Sequence, residues 1–364
     1  MDRKKFIKHL PLYLVEILVL VVAAGFLYFT VQATRAERRE IKEENITVNE
    51  EVKEQIEKTQ EENAGKNLTG VFNVALFGVD ARDGSLGKGT RSDSIMICSI
   101  DMDKHEVKLI SVLRDTYLNL GNDTYNKCNV AYAKGGPEQA ISMLNVNTDM
   151  YIKDYITVGF DGLIQAVDAL GGVELDVSEA EIPHLNNYQI SMVGTTDDGI
   201  TFVAEEGSYV PVTEPGLQKL NGLQATAYCR IRYVGDDFRR TQRQRDLITA
   251  MIEKSKTASI GELTQAAEAV FPYVSTSLKV EDIFTMLSVV GDYQVTVSES
   301  FPFAGIRNGG NIKGYGSCVV PTDLEQNVIK LHELLFDEQD YVPSEEVKKY
   351  SEIIKNDTQA YLQY

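Results

Sequence analysis

Positive charge is scarce in this sequence. Its 364 residues hold 36 lysines and arginines against 54 aspartates and glutamates, a formal net charge of -18. No basic surface dominates such a chain, which argues against general nucleic-acid binding. Cysteine is scarce as well: Cys98, Cys128, Cys229 and Cys318 are all there are, and none stands in a C-x-x-C pair. That pattern excludes zinc ribbons and thioredoxin-like chemistry. Four isolated buried thiols are expected, with one disulfide as the alternative that an extracytoplasmic location permits. The four histidines, His9, His105, His184 and His332, are scattered. Ser92 and Ser94 lack a Gly-x-Ser-x-Gly elbow, so serine hydrolase chemistry has no support. What remains is ordinary: 43% hydrophobic and 25% charged residues, enough for one large globular domain or two small ones.

Against this acidic background one segment stands out. Between Arg230 and Arg245 there are six arginines, two aspartates and no lysine. A guanidinium fork meets phosphate oxygens two at a time, which an ammonium cannot do. The simplest reading is a fixed polyanionic ligand, a pyrophosphate. A solvated ion-pair surface is the bland alternative, but acidic residues within the segment are too few to pair every arginine.

The N-terminus reads as a membrane segment. Arg3, Lys4, Lys5 and Lys8 precede a mainly apolar run from Leu10 to Val31, interrupted chiefly by Pro11 and Glu16. A run of about 20 residues matches a bilayer core. Arg35, Arg38, Arg39 and Lys42 follow it and blunt the charge asymmetry, yet the short basic leader favours an N-terminus inside. The alternative is a cleaved signal peptide, for which Val31-Gln32-Ala33 is a poor cleavage site. In either case the remainder lies outside the cytoplasm. The expected organisation is a cytoplasmic leader (1–9), a transmembrane helix (10–31), a charged stalk (32–67), an extracellular domain (68–338) and a C-terminal tail (339–364).

Within the domain, the almost continuously apolar Val71 to Val79 predicts a strand buried on both faces. Ser94 to Ile100 and Val107 to Leu113 predict two more, joined by the tight turn Asp101-Met102-Asp103-Lys104. If these three are antiparallel neighbours, Asp80, Arg91, Asp93 and Arg114 meet at one rim of the sheet. Helix and strand patterns then alternate: helix 137–145, strand 156–160, helix 161–170, strand 173–177, a polar insertion over 194–216, and a helix through Leu217, Leu220, Leu223 and Ala227 into Arg230. A further helix runs from Arg239 to Lys256. Its apolar lower face turns Arg240 and Gln244 toward the protein, and its N-terminus favours an anion. The fold class is α/β, a central mixed β-sheet flanked by helices in three layers. Taken alone, Asp80 could merely open a turn and Asp237 could merely cap a helix.

The blocks Phe77-Gly-Val-Asp80-Ala-Arg82, Thr90-Arg91-Ser-Asp93-Ser94, Ser111-Val-Leu-Arg114-Asp-Thr116 and Arg230-Ile-Arg232-Tyr233, followed by Asp237-Phe-Arg-Arg240-Thr-Gln-Arg-Gln244, resemble in order and spacing the LytR–CpsA–Psr family. The family consists of membrane-anchored enzymes of Gram-positive-type walls. The resemblance covers about half the chain, and the C-terminal part also resembles close relatives in Val319-Val-Pro-Thr-Asp323, Leu331-His-Glu-Leu-Leu-Phe336 and Tyr341-Val-Pro-Ser344. It implies a transferase that moves an anionic glycopolymer, of teichoic acid or capsular polysaccharide type, from a polyprenyl diphosphate carrier to peptidoglycan. It assigns Asp80 and Asp93 to Mg2+, or Mn2+ in its place. Arg91, Arg114, Arg230, Arg232, Arg240 and Gln244 correspond to the diphosphate-binding set, with Arg91 and Arg114 also counted with the catalytic carboxylates. Asp237 corresponds to a further acidic residue, either near the metal or the base. Arg239 and Arg245 depart from the pattern and are expected to add charge at the edge of the site.

Magnesium is commonly held by one or two carboxylates together with substrate phosphate, so chemistry and resemblance agree. The expected partners are the lipid-linked polymer, the peptidoglycan acceptor and the membrane, without nucleic acid; nothing in the sequence specifies an oligomeric state. A prenyl tail requires an apolar groove, for which Leu163, Ile164, Val167 and Leu170 are candidates, although core packing is the more ordinary explanation of such residues. Two other functions fit: a metal-dependent polyprenyl-diphosphate hydrolase, and a non-catalytic envelope module that binds lipid.

Overall fold

The computed structural model describes residues 37–55, 70–80, 86–196, 201–235 and 237–362. The leader and the apolar run 10–31 lie outside the described residues, and among the described residues no helix is long and apolar enough to cross a membrane. In chain order the strands are β1 (Glu37–Arg38), β2 (Val71–Val79), β3 (Ser92–Asp101), β4 (Glu106–Val112), β5 (Tyr117–Asn119), β6 (Tyr125–Lys127), β7 (Asp154–Val158), β8 (Val173–Val177), β9 (Gly216–Leu220), β10 (Val274–Thr276), β11 (Gln294–Phe301), β12 (Arg307–Ile312) and β13 (Gly316–Pro321). The principal helices are α1 (Asn129–Thr148), α2 (Phe160–Ala169), α3 (Ile182–Val193), α4 (Gly222–Arg230), α5 (Asp237–Lys256), α6 (Ile260–Val270), α7 (Val280–Val289), α8 (Leu324–Phe336) and α9 (Glu345–Thr358).

Seven strands form the central sheet in the order β1-β10-β7-β2-β3-β4-β11. Strands β2, β3 and β4 are antiparallel neighbours, while β2 with β7 and β4 with β11 are parallel. The sheet is therefore mixed, as expected. The period-2 alternation of the strands separates two cores. On one face Ala75, Phe77, Ile95, Ile97 and Ile110 pack with buried residues of α1, α8 and α9. On the other, Val74, Met96, Cys98 and Leu109 pack with Ile248 and Ile252 of α5. A satellite cluster joins α2, α3 and α4 to the β8–β9 ribbon through Val167, Leu185, Ala225 and Tyr228.

Four boundaries differ from the sequence reading. The expected helix through Leu217 and Leu220 is strand β9 over that first half, paired antiparallel with β8, because the residues there alternate outward and inward, and α4 starts only at Gly222 after the Asn221 cap. Helix α1 begins eight residues earlier than Pro137. It crosses a kink at Gly136, whose φ of 69° lies where glycine is tolerated best, so Gly-Gly-Pro bends the helix instead of starting it. Part of the expected stalk packs on the domain: β1 pairs with β10, and the buried Asn49 donates to Val146 O and Asp149 Oδ1. The expected tail is likewise core, because α9 buries Val347 and Ile354. All four cysteines are free and buried. Burial pushes the Cys98 thiol up to about 12 and raises Cys128 and Cys229 as well. These are inert packing groups.

Candidate active site

The rim formed by β2, β3 and the segment after β4 carries the acidic half of the site. Asp80 follows the last residue of β2. Gly78 pairs with Ser94 but Val79 pairs with Ser92, so Asp93 is an extra residue in β3. A bulge re-aims the side chain it carries. Strict alternation would send Asp93 to the face opposite Ser94, yet both residues line the cavity on the α5 side of the sheet. Arg114, just beyond β4, returns to this edge and places Nη1 2.6 Å from Asp93 Oδ1. Burial lowers the Arg114 pKa, but Asp93, Asp237 and Asp115 together outweigh that effect and hold it above its ordinary value.

The basic half comes from the arginine-dense segment, and the structure divides that segment in two. Helix α4 begins with a capping box in which Asn221 accepts from Gln224 N and Gln224 Oε1 accepts from Asn221 N. Its last residue is Arg230, whose guanidinium lies 4.4 Å from the Phe160 ring centroid and 5.3 Å from that of Tyr188. Both contacts are within cation–π range. Arg232 places Nη2 3.4 Å from Asp93 Oδ2. In the first turn of α5, Arg240 meets Asp237 at 2.9 and 3.2 Å in a two-pronged pair, with Arg114 3.9 Å from the same carboxylate. Arg240 is only 3% exposed, and its Nε has no hydrogen-bond partner among the described residues. Burial lowers its pKa; Asp237 opposes that shift, and Arg114 and Arg232 add to it. A buried, under-partnered guanidinium next to two others is suited to an anion.

The remaining three arginines are structural. Arg243 is fully buried and donates to Glu181 Oε1 (2.7 Å), Ile231 O (3.1 Å) and Val234 O (2.6 Å). Arg245 is buried and donates to Ser298 and Ser300 of β11. Arg239 lies 3.9 Å from both Glu181 and Asp246. Neither Arg239 nor Arg245 adds charge to the cavity edge, because each has acidic or hydroxyl partners elsewhere.

Asp80, Asp93, Arg230, Arg232, Arg240 and Gln244 therefore line one cavity of about 260 Å3, together with Phe160, Tyr188 and Cys229. Arg114 and Asp237 stand directly behind it through their ion pairs. Arg91 is the exception: it is exposed and not part of the wall. Phe160 and Tyr188 escaped the sequence reading. The apolar pattern marks Phe160 only as the end of a strand, whereas it is the first residue of α2, and no clear periodicity marks α3, which carries Tyr188.

A second cavity of about 280 Å3 adjoins the first. Its wall is apolar, including Leu76, Met96, Ile156, Val158, Leu163, Ala166, Leu247, Ile248 and Met251. Of the four expected groove residues only Leu163 is there. Val167 points into the satellite core, and Ile164 and Leu170 are not in the wall, because only one stripe of α2 faces the sheet. The two chambers share Asp93, Phe160, Cys229, Arg230 and Gln244.

Fold and site together define an α/β protein whose polar, arginine-lined chamber opens into an apolar one. Residues 29–317 match the LytR_cpsA_psr family, to which this chain belongs. A polyisoprenyl-teichoic acid–peptidoglycan teichoic acid transferase TagV of Bacillus subtilis is 24% identical over 278 residues, covering 75% of this chain. A TagU of Halalkalibacterium halodurans is 30% identical over 223 residues, covering 60% of this chain. The chain spans 66% and 64% of the length of these two relatives. The fold resembles that of TagT bound to LIIa-WTA, with a TM-score of 0.58 and 20% identity over 77% of this chain and 96% of that one.

Proposed function

We propose that this protein transfers an anionic glycopolymer from a polyprenyl diphosphate carrier to peptidoglycan, releasing polyprenyl phosphate. What supports this reading above all is the junction of the two chambers at Phe160, Arg230 and Gln244. An amphipathic ligand with a doubly charged head and a hydrocarbon tail matches the polar and apolar walls in turn. The names of the relatives give the same substrate class. In this reading a hydroxyl of the wall glycan attacks the sugar-side phosphorus, and the bond to the bridging oxygen breaks. Polyprenyl phosphate leaves, and the hydroxyl proton passes to a base. Arg230, Arg232 and Arg240 bind the phosphates and offset the charge that develops on them. Asp237 has both oxygens on Arg240, which makes it an orienting group for that guanidinium.

A divalent cation belongs to this proposal. No group of three or more His, Cys, Asp or Glu converges among the described residues, which argues against an all-protein cage. Asp80 and Asp93 share the arginine-lined wall, a donor set that suits Mg2+ or Mn2+ completed by substrate phosphate. Such an ion neutralises phosphate charge and supplies Lewis acidity. Treatment with EDTA is expected to halt turnover of the lipid-linked donor and Mg2+ or Mn2+ to restore it; undiminished turnover in EDTA would remove the metal from the scheme. We also propose that residues 10–31 anchor the protein in the membrane, with the domain outside the cytoplasm.

The tail chamber yields its own prediction. Ala166→Phe fills space otherwise open to hydrocarbon. Displacing about two methylenes, at ~0.8 kcal/mol each, is expected to weaken binding of a long polyprenyl diphosphate roughly tenfold. A ten-carbon diphosphate should bind as before. Calorimetry with both lipids checks this, and equal losses for both would place the tail elsewhere. The defining experiment is mass spectrometry of lipid that co-purifies with the protein, followed by reaction with peptidoglycan. Release of free polymer without attachment would favour the hydrolase.

A further inference from the structure

Tyr233 is 78% exposed, yet it is held firmly. On either side of Arg232 and Tyr233, the carbonyls of Ile231 and Val234 accept from the two ends of the buried Arg243 guanidinium. The Tyr233 ring lies against His184, with centroids 5.4 Å apart and planes inclined by only 25°. His184 and Tyr188 sit at i and i+4 of α3, about 6 Å apart on one helix face. Tyr188 is in the wall of the arginine-lined cavity. The Glu181 that pairs with Arg243 immediately precedes α3. One buried ion pair therefore ties together the loop bearing Tyr233 and the helix bearing His184.

The result is an aromatic strip that leaves the cavity at Tyr188 and continues outward through His184 to Tyr233. One face of Tyr233 is backed by an imidazole; the remainder of the ring meets solvent. An exposed ring gains nothing in stability from being oriented in this way. It gains in binding, because a pre-set ring loses little entropy when a flat partner settles on it.

We propose that Tyr233 is a stacking platform for a pyranose ring at the mouth of the arginine-lined cavity. The axial C–H groups of a sugar carry partial positive charge and meet the negative face of an aromatic ring, while Arg232 next to it offers hydrogen bonds to hydroxyl or phosphate oxygens. This inference rests on the transferase reading above, in which two sugars approach the cavity: the first residue of the donor polymer and the acceptor residue of the wall glycan. The same chemistry serves either.

The test uses the full chain in detergent micelles and the variants Tyr233→Ala and Tyr233→Trp. Three probes are compared: a twenty-carbon prenyl diphosphate without sugar, the same lipid bearing one N-acetylhexosamine, and a peptidoglycan tetrasaccharide as acceptor. Since Tyr233 is on the surface, neither substitution should shift the melting temperature. Tyr233→Ala is expected to bind the sugarless lipid as wild type does and to lose roughly three- to tenfold toward one sugar. Weaker binding of the glycosylated lipid assigns the platform to the donor; a raised KM for the tetrasaccharide, with donor binding unchanged, assigns it to the acceptor. Tyr233→Trp should retain the wild-type values. Unchanged behaviour toward both sugars overturns the proposal, as does an equal loss toward the sugarless lipid, which would mean that the loop alone had moved. Failure of the wild-type protein to bind any prenyl diphosphate would instead remove the transferase reading, and the platform with it.

Discussion

Replacing Arg240 with methionine is expected to lower turnover of the lipid-linked donor about 10^2- to 10^3-fold while leaving the fold intact or slightly more stable. The kinetic loss follows from deleting one pre-aimed donor to a phosphate group, worth roughly 2.7–4 kcal/mol in comparable anion sites. The effect on stability has the opposite sign because of where Arg240 lies. It is 3% exposed, stands near Arg114 and Arg232, and has an Nε without a hydrogen-bond partner among the described residues. Removing a buried charge that the fold does not fully compensate is neutral or favourable by ~1 kcal/mol or more when a methionine takes its volume. Asp237, its partner, is about one-third exposed and returns to water cheaply. Thermal denaturation and donor turnover measured on the same preparation check both halves. A variant that unfolds several kcal/mol more easily would make Arg240 a framework residue.

The Glu181–Arg243 pair behaves in the reverse manner. Both groups are buried, so Glu181→Ala leaves a guanidinium in the interior facing only two carbonyls, at a cost of about 3–5 kcal/mol. Burial raises the Glu181 pKa, but the Ser178 amide and hydroxyl and the Arg243 guanidinium outweigh that effect and hold it below its ordinary value. A carboxylate whose folded pKa is depressed adds stability that is complete above the unfolded value of about 4.3. That stability is lost as pH falls from there toward the folded value. Urea unfolding between pH 3 and 7 should show a steeper acid decline in the wild type than in Glu181→Gln. The double change Glu181→Leu with Arg243→Met should recover most of the stability, since an apolar pair can replace a buried ionic one. Donor turnover should stay low, because the carbonyls of Ile231 and Val234 lose the anchor that positions Arg232. A double variant restored in both respects would show that the pair serves the core alone.

Much of the site was legible because its residues lie where local patterns are strongest. The apolar run 71–79, the tight turn at 101–104 and the arginines after Val112 and within 230–245 place Asp80, Asp93 and Arg114 on one rim by strand geometry alone. Helical periodicity brought Arg240 and Gln244 to the same place. It could not separate them from Arg243, which belongs to the next stripe of α5 and turns toward Glu181. Helix α3 was hidden by weak amphipathicity: its polar Gln189 is fully buried and bonded to Val210 O, so a core position carries a polar residue. Tyr188 was lost with that helix. Arg91 illustrates the opposite error, since proximity in sequence to Asp93 does not turn a loop side chain inward. The parallel strand β11 and the buried α9 depend on contacts across nearly the whole chain, and no local pattern reports those.

The bulge at Asp93 sets a limit on how this protein can change. The carboxylate faces the chamber only because β3 carries one residue more than β2 across the pair. Deleting a residue there would restore regular alternation and turn the acid into the hydrophobic layer beneath, whereas an equal deletion in the loop over 86–91 would leave it in place. Insertions and deletions among relatives should therefore gather on the loop and spare the strand, so that length variation ahead of β3 stops abruptly at Ser92.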